Sequence, residues 1–342
     1  MRLALLLLLA LTAHARDIAA RVDRYVHAQV AKSDFSGAVL LARDGKKVLV
    51  SKGYGLANRE HNVPNAPHTK FRLGSITKQF TAMAVLQLEE AGKLAVRDSI
   101  CHYLDDCPET WQPITIHHLL THTAGLFNFT SDPQYVRTWM LPSPPSETMK
   151  RFRDRPLEFA PGSRFKYSNS GYTLLALIIE RASGQPYRDF LRRSIFEPLG
   201  MNDTGHDSHA DILKHRASGY STFAAKVVHA PYHDMSIATG GGDLYSTVED
   251  LYKWDQALYT GQLISRTALK RMFKPFKGGY AYGWRVDTHL GRKRIGHGGG
   301  INGFLTYLGR YPEERALLVV LCNTTPQPIE EIVNGLAAIL FR

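Results

Sequence analysis

Ser75 and Lys78 stand three apart in Gly74-Ser75-Ile76-Thr77-Lys78, a spacing that puts a hydroxyl and an amine on one helix face and within reach of each other. An amine held in a desolvated site binds its proton less tightly and can take one from the serine, and a helix N-terminus adds positive potential and free N–H groups. The chemistry expected is nucleophilic attack by Ser75 with Lys78 as base. The pattern alone is weak, because 19 Ser and 16 Lys in 342 residues predict about one Ser-x-x-Lys by chance. A second one, Ser163 to Lys166, follows Pro161-Gly162 with no apolar helical run behind it and reads as loop polarity. Ser75 differs in leading into Phe80, Met83, Leu86 and Leu88, a helical pattern that ends at Gly92.

Two further clusters carry reactive groups. In Tyr167-Ser168-Asn169 a phenol can relay protons and an amide can tether a lysine or donate to a substrate carbonyl; a turn with a helix cap reads the same residues blandly. His297-Gly298-Gly299-Gly300 follows a strand expected over Lys293 to Gly296. Glycines there would let a substrate lie against the strand edge and leave a backbone N–H for an oxyanion hole, with an ordinary glycine-rich bend as the alternative. His118 and His122 stand four apart, but Leu119 occupies the place where a zincin carries Glu, so packing and capping are the better reading and no metal is expected.

The elements that must position these groups follow from periodicity. Ile18, Val22, Tyr25, Val26 and Val30 recur at helical spacing, and the strand-like runs Gly37 to Ala42 and Lys47 to Gly55 flank Asp44-Gly45 as a hairpin would. Helical patterns dominate from Ser75 to about Glu197; strands return at Tyr282 to Val286, Gly303 to Tyr311 and Ala316 to Cys322, and a helix closes the chain from about Ile329 to Phe341. Strands at both ends and helices between predict an α/β (α+β) architecture: an antiparallel sheet flanked by terminal helices, with an all-helical domain inserted. The boundaries expected are residues 16–80 with 240–342 for the sheet domain and 81–239 for the helical one, the site lying at their junction.

Composition agrees with a folded chain: 44% hydrophobic and 21% charged residues exclude wholesale disorder and a polytopic membrane protein. The formal charge of +11 is spread along the chain without a nucleic-acid motif, so no nucleic-acid partner is expected. Residues 1–15 read as a secretory leader: Arg2, an apolar run from Leu3 to Leu11, and Ala13-His14-Ala15 for cleavage. Export with no membrane anchor after cleavage is the expectation, a retained anchor the alternative. In such a compartment Cys101 and Cys107 would form a local disulfide; a zinc site with His102 is the sharper alternative, short of a fourth ligand. Cys322 reads as a buried strand thiol.

Taken in order, Ser75-x-x-Lys78, Tyr167-Ser168-Asn169 and His297-Gly298-Gly299 resemble the serine β-lactamase and penicillin-binding-protein superfamily. The resemblance is to its class C-like branch of class C β-lactamases, DD-carboxypeptidases, D-aminopeptidases and family VIII esterases. Phe71-Arg72-Leu73-Gly74-Ser75, His122-Thr123-Ala124-Gly125-Leu126, Pro161-Gly162-Ser163 and Pro198-Leu199-Gly200-Met201 extend it over about residues 18 to 340. The resemblance implies a β-lactamase/transpeptidase-like fold and a cofactor-free exported hydrolase acting on a small ester, amide or peptide. It implies that Ser75 is acylated, that Lys78 and Tyr167 move protons, and that Asn169 contacts Lys78 and substrate. The oxyanion would lie against the N–H groups of Ser75 and Gly300, and His297, Gly298 and Gly299 would bind substrate. The third motif departs from the usual Lys-Thr-Gly. An ordinary His is mostly neutral at pH 7, so esters or D-amino-acid peptides are expected over β-lactams, with Arg292 or Arg294 as candidate cations if a β-lactam carboxylate is held. A non-hydrolytic sensor on the same fold is the alternative.

Overall fold

The computed structural model describes residues 17–45 and 47–342; the leader expected over residues 1–15 lies outside them. Apolar residues on both faces of a strand require cover on both sides, and the two ends of the chain supply such strands. β1 (Gly37–Arg43) and β2 (Lys47–Tyr54) form the expected hairpin. From the far end come β3 (Arg285–His289), β4 (Arg292–Ile301), β5 (Phe304–Tyr311) and β6 (Ala316–Cys322). They join in one sheet of order β3-β4-β5-β6-β1-β2, every pair antiparallel. The seam between the two ends is β1 on β6, registered Gly37↔Cys322 through Ala42↔Leu317.

Alternation decides what covers each face. Val39, Leu41, Leu318, Val320 and Cys322 point to one side, where Ile18, Val22 and Val26 of α1 (Arg2–Ser33) and Ile332, Leu336 and Leu340 of α4 (Ile329–Phe341) bury them. Ala38, Leu40, Leu317, Val319 and Leu321 point to the other, into the main core around α2 (Thr77–Glu90) and α3 (Asn169–Ser183). Each Val, Leu or Ile among them contributes about 1.5–3 kcal/mol by leaving water. Trp254 packs at a tilt against Phe80 of α2 with ring centres 4.5 Å apart, which ties α2 to this core.

The structure departs from the sequence reading in three places. The strand expected at Tyr282 to Val286 starts later, at Arg285, because Tyr282 and Trp284 are buried packing residues around Gly283, whose φ is +77° and where a Cβ would come within 2.5 Å of the Lys78 carbonyl oxygen. The strand expected to end at Gly296 continues through the glycines to Ile301. Within residues 81–239 the regular elements are helices as far as Phe196, after which short strands form at Gly205–His206, Tyr220–Phe223 and Lys226–His229. Runs of two to four residues are too short to show alternation. Cys101 and Cys107 form a disulfide, with Cα atoms 5.3 Å apart, and Cys322 is a buried free thiol. Among the described residues no helix is long and apolar enough to cross a membrane.

Candidate active site

The nucleophile segment is clamped onto the sheet by backbone contact. Phe71–Arg72 pairs with Tyr245 and Ser246, and Thr306 Oγ1 of β5 donates to the Leu73 carbonyl at 2.6 Å. Gly299 lies so close that a Cβ there would sit 2.0 Å from that same oxygen. Gly74 adopts φ +54°, and its Cβ would fall 2.7 Å from the Gly300 nitrogen. Only glycine tolerates both the left-handed backbone and that contact. Ser75 therefore stands in a tight turn, Gly74–Ile76, at the mouth of α2 and beside Gly300.

Lys78 is 0% exposed. Its Nζ lies 3.1 Å from Ser75 Oγ, 2.9 Å from Asn169 Oδ1 and 2.8 Å from the Gly241 carbonyl. Burial lowers its pKa from 10.5 to about 7, against a smaller upward pull from Asp243. A neutral amine has two N–H groups and one lone pair. Asn169 Oδ1 and the Gly241 oxygen can only accept, so they take the two hydrogens and the lone pair is left for the serine hydroxyl. Asp243 is buried too, accepting from the Gly240 N–H and pairing with His206 at 2.7 Å.

Tyr167 donates to Ser75 Oγ at 2.8 Å. Burial holds its pKa well above the usual phenol range, with the Ser75 hydrogen bond and Arg285 pulling the other way, so this phenol keeps its proton at neutral pH. Its ring packs at a tilt against that of His122, with centres 4.2 Å apart. His122 accepts from the Ser168 N–H, and burial together with Lys78 drives its pKa far down, so it is a neutral packing group. Asn169 is fixed at both ends: its N–H donates to Asn128 Oδ1 and its Nδ2 to Thr130 Oγ1. The second Ser-x-x-Lys is elsewhere in purpose, since Ser163 is exposed and Lys166 pairs with Glu158.

Alternation along β4 divides the third motif. Gly298 and Gly300 are exposed toward the cleft, while His297 and Gly299 are buried behind it. His297, 4% exposed, has both ring nitrogens engaged, Nε2 with Tyr280 Oη at 2.9 Å and Nδ1 with the Gly298 carbonyl at 2.6 Å. Burial and the neighbouring Lys78 lower its pKa to about 3. It is neutral for a stronger reason than its ordinary pKa. Gly299 serves the close approach to Leu73 described above rather than approach of a substrate.

Two cavities meet at Ser75. One, of about 230 Å³, is lined by Phe129, Thr130, Tyr135, Asn169, Ile237 and Gly300 among others, with no Asp, Glu, Lys or Arg in its wall. The other, about 770 Å³, is bounded by Tyr167, Gly298 and the edge of His297, and by Arg285, Asp287, Arg294 and Glu330. Arg294 and Arg292 do not stand free as cations: Arg294 pairs with Asp287 at 2.6 Å and Arg292 with Glu314 at 3.1 Å. Arg285 rests on the rings of Phe165 and Tyr280, and among the described residues it has no carboxylate partner.

Gly241, Thr130, Tyr280 and Arg285 stand at this site without having been singled out from sequence. Gly241 acts through a carbonyl, which leaves no signature. Arg285 had one, because Arg285, Asp287 and His289 alternate along β3 and all line one cavity. His118 caps a short helix at Thr115, and among the described residues no cluster of three His, Cys, Asp or Glu converges as a metal site would.

Residues 22–340 match the family described as Beta-lactamase. PbpX of Bacillus subtilis (strain 168) is 36% identical over 241 residues, 70% of this chain, and the match spans 59% of the length of PbpX. The octameric penicillin-binding protein homologue from Pyrococcus abyssi superposes with a TM-score of 0.83 at 30% identity, covering 94% of this chain and 77% of that one. The D-amino acid amidase from Ochrobactrum anthropi SV3, solved with L-phenylalanine amide, gives 0.83 at 25% identity over 95% and 99% of the two chains.

Proposed function

The chain belongs to the β-lactamase family, and on that premise we propose that it is a serine acyl hydrolase whose preferred substrates are amides or peptides with a carboxylate on the leaving group. The observation that carries the reading is the Lys78 amine, buried, held by two acceptors and aimed at Ser75 Oγ. Ser75 Oγ attacks the carbonyl carbon and its proton passes to the Lys78 lone pair. The oxyanion that forms lies against the N–H groups of Ser75 and Gly300, at the start of a helix and the edge of a strand. The bond to the leaving nitrogen or oxygen breaks as that atom takes the Tyr167 proton, and the Lys78 ammonium restores the phenol. Water then reverses the sequence on the acyl-enzyme.

Tyr167 fixes the polarity of the cleft. A proton donor to the leaving group must face it, so the cavity bounded by Tyr167 receives the leaving group and the one bounded by Gly300 and Asn169 receives the acyl group. The leaving-group side offers Arg285 as its cation, which supports a terminal carboxylate such as that of a D-amino acid. The D-amino acid amidase from Ochrobactrum anthropi SV3 supports the amide class. His297, neutral and fully engaged, argues against efficient β-lactam hydrolysis through that position.

A fluorophosphonate followed by peptide mass spectrometry tests the reading: the adduct is expected on Ser75 and absent in Ser75→Ala. Labelling that persists unchanged in Ser75→Ala overturns it.

A further inference from the structure

The acyl-side cavity contains a polar group that the catalytic steps above do not use. His233 is 3% exposed and stands in the wall of the cavity that also holds Ser75, Phe129 and Tyr135. Its Nε2 is 3.0 Å from Tyr135 Oη, while its Nδ1 is buried with no hydrogen-bond partner among the described residues. A buried nitrogen left without a partner is destabilising, and a ligand that pairs with it removes that cost.

The surroundings define what that ligand group can be. The cavity wall has no charged side chain. The adjacent carboxylate, Asp234, is occupied in capping the turn Met235–Ala238 through Ser236 and in accepting from Tyr232. On the other side His209 Nε2 lies 3.0 Å from both the His233 carbonyl and Arg72, and Arg72 is itself paired with buried Asp207, so no free counter-charge meets a cation from there. A free α-ammonium entering here would lose its water without gaining a counter-charge, which is strongly unfavourable. A neutral amide fits. If Tyr135 donates to Nε2, Nδ1 carries the proton and meets a carbonyl; in the other tautomer Nδ1 accepts from an amide N–H. An amide presents both groups.

The geometry points to His233 as the specificity residue of the acyl side, binding the amide of an N-acylated amino-acid residue and selecting it over the same residue with a free amine. This rests on the reading that Ser75 is the acylated nucleophile. It would separate this chain from amidase chemistry on free amino acids and place its substrates within an acylated chain.

Three p-nitrophenyl esters sharing one leaving group test it: N-acetyl-D-phenylalanine, D-phenylalanine and acetate. At neutral pH the wild type is expected to favour the N-acetyl ester over the free amine by about tenfold or more in kcat/KM, the scale of one buried hydrogen bond plus an uncompensated charge. His233→Phe should lower kcat/KM for the N-acetyl ester about tenfold more than for acetate, which is too short to reach Nδ1, mainly through KM. His233→Asn, which keeps an amide donor and acceptor, should recover part of that difference. A wild-type preference for the free amine overturns the inference, as does an equal loss on N-acetyl and acetate esters in His233→Phe, the mark of a merely structural role. Hydrolysis of acetate unaffected by Ser75→Ala would instead overturn the reading of Ser75, and the two failures are told apart by that ester alone.

Discussion

The two halves of the cleft differ in kind. On the side of Gly300 and Asn169 the wall is aromatic and neutral, and its polar atoms are amides, hydroxyls and one imidazole. On the side of Tyr167 the wall carries Arg285, Asp287, Arg294 and Glu330, with an ion pair already formed between two of them. The difference follows from the elements beneath. The neutral half is built where the helical segment packs against the chain around Ile237 to Gly242, a desolvated junction. The charged half lies across the outer strands β3 and β4 and the start of α4, and alternation along β3 places Arg285, Asp287 and His289 on one face. Chemistry that needs a depressed lysine pKa requires the first environment; recognition of an ionised leaving group is cheaper in the second.

The strongest way to break this comparison is to attack the neutral junction. Lys78→Ala should reduce kcat/KM for every substrate by about 10²- to 10⁴-fold, the scale of a lost general base. The pH profile sharpens the point. Lys78 works as the free amine, and burial brings its pKa down to about 7. The wild-type rate should therefore rise with pH through that value and fall about tenfold per unit below it. A steady-state profile flat from pH 5 to 9 would show that Lys78 is not the titrating base.

Tyr167 sits on the boundary and should show its position through the leaving group. Tyr167→Phe is expected to cost about 10²-fold on an anilide or peptide, whose nitrogen must be protonated as it leaves. On a p-nitrophenyl ester, whose oxygen departs as an anion, the loss should be several times smaller. Equal losses on both would make Tyr167 a positioning group rather than a proton donor.

The smallest effect belongs to the charged half. Arg285→Gln should lower kcat/KM about tenfold for a peptide ending in a free carboxylate, the low end for a charge-assisted hydrogen bond at an exposed site. Turnover of the corresponding carboxamide should change by less than about twofold, the remaining surface contacts being near neutral in energy. The difference should shrink with added salt. If carboxylate and carboxamide respond alike, Arg285 does not read charge.

The same division explains what was legible in the sequence. Ser75, Lys78, Tyr167 and Asn169 occupy segments with tight local constraints, turns leading into helices, and residue type with spacing reveals them. His297 was visible as a residue but not in its setting: only the fold shows that β4 runs on through the glycines, turns the ring inward and engages it with Tyr280. The strand register had to be known before Arg285 could be separated from Arg292 and Arg294, because all three are arginines on neighbouring outer strands and differ in whether a carboxylate stands opposite. Gly241 and His233 act through a carbonyl and an unpaired ring nitrogen, properties created by packing. The terminal elements were the easiest part: the apolar run Ala316–Cys322 and the helical period of Ile329–Phe341 coincide with β6 and α4.

The seam between β1 and β6 also sets when a growing chain can complete the site around Ser75. Ser75, Lys78, Tyr167 and Asn169 are all polymerised by mid-synthesis, yet Gly74 is held against Gly300 and β1 waits for Cys322 before its inner edge is paired. Pairings this distant in sequence close late and slowly. A nascent chain stalled before residue 300 carries every nucleophilic and proton-transfer group and has no oxyanion hole, so acylation should appear in one late step as the last strands emerge.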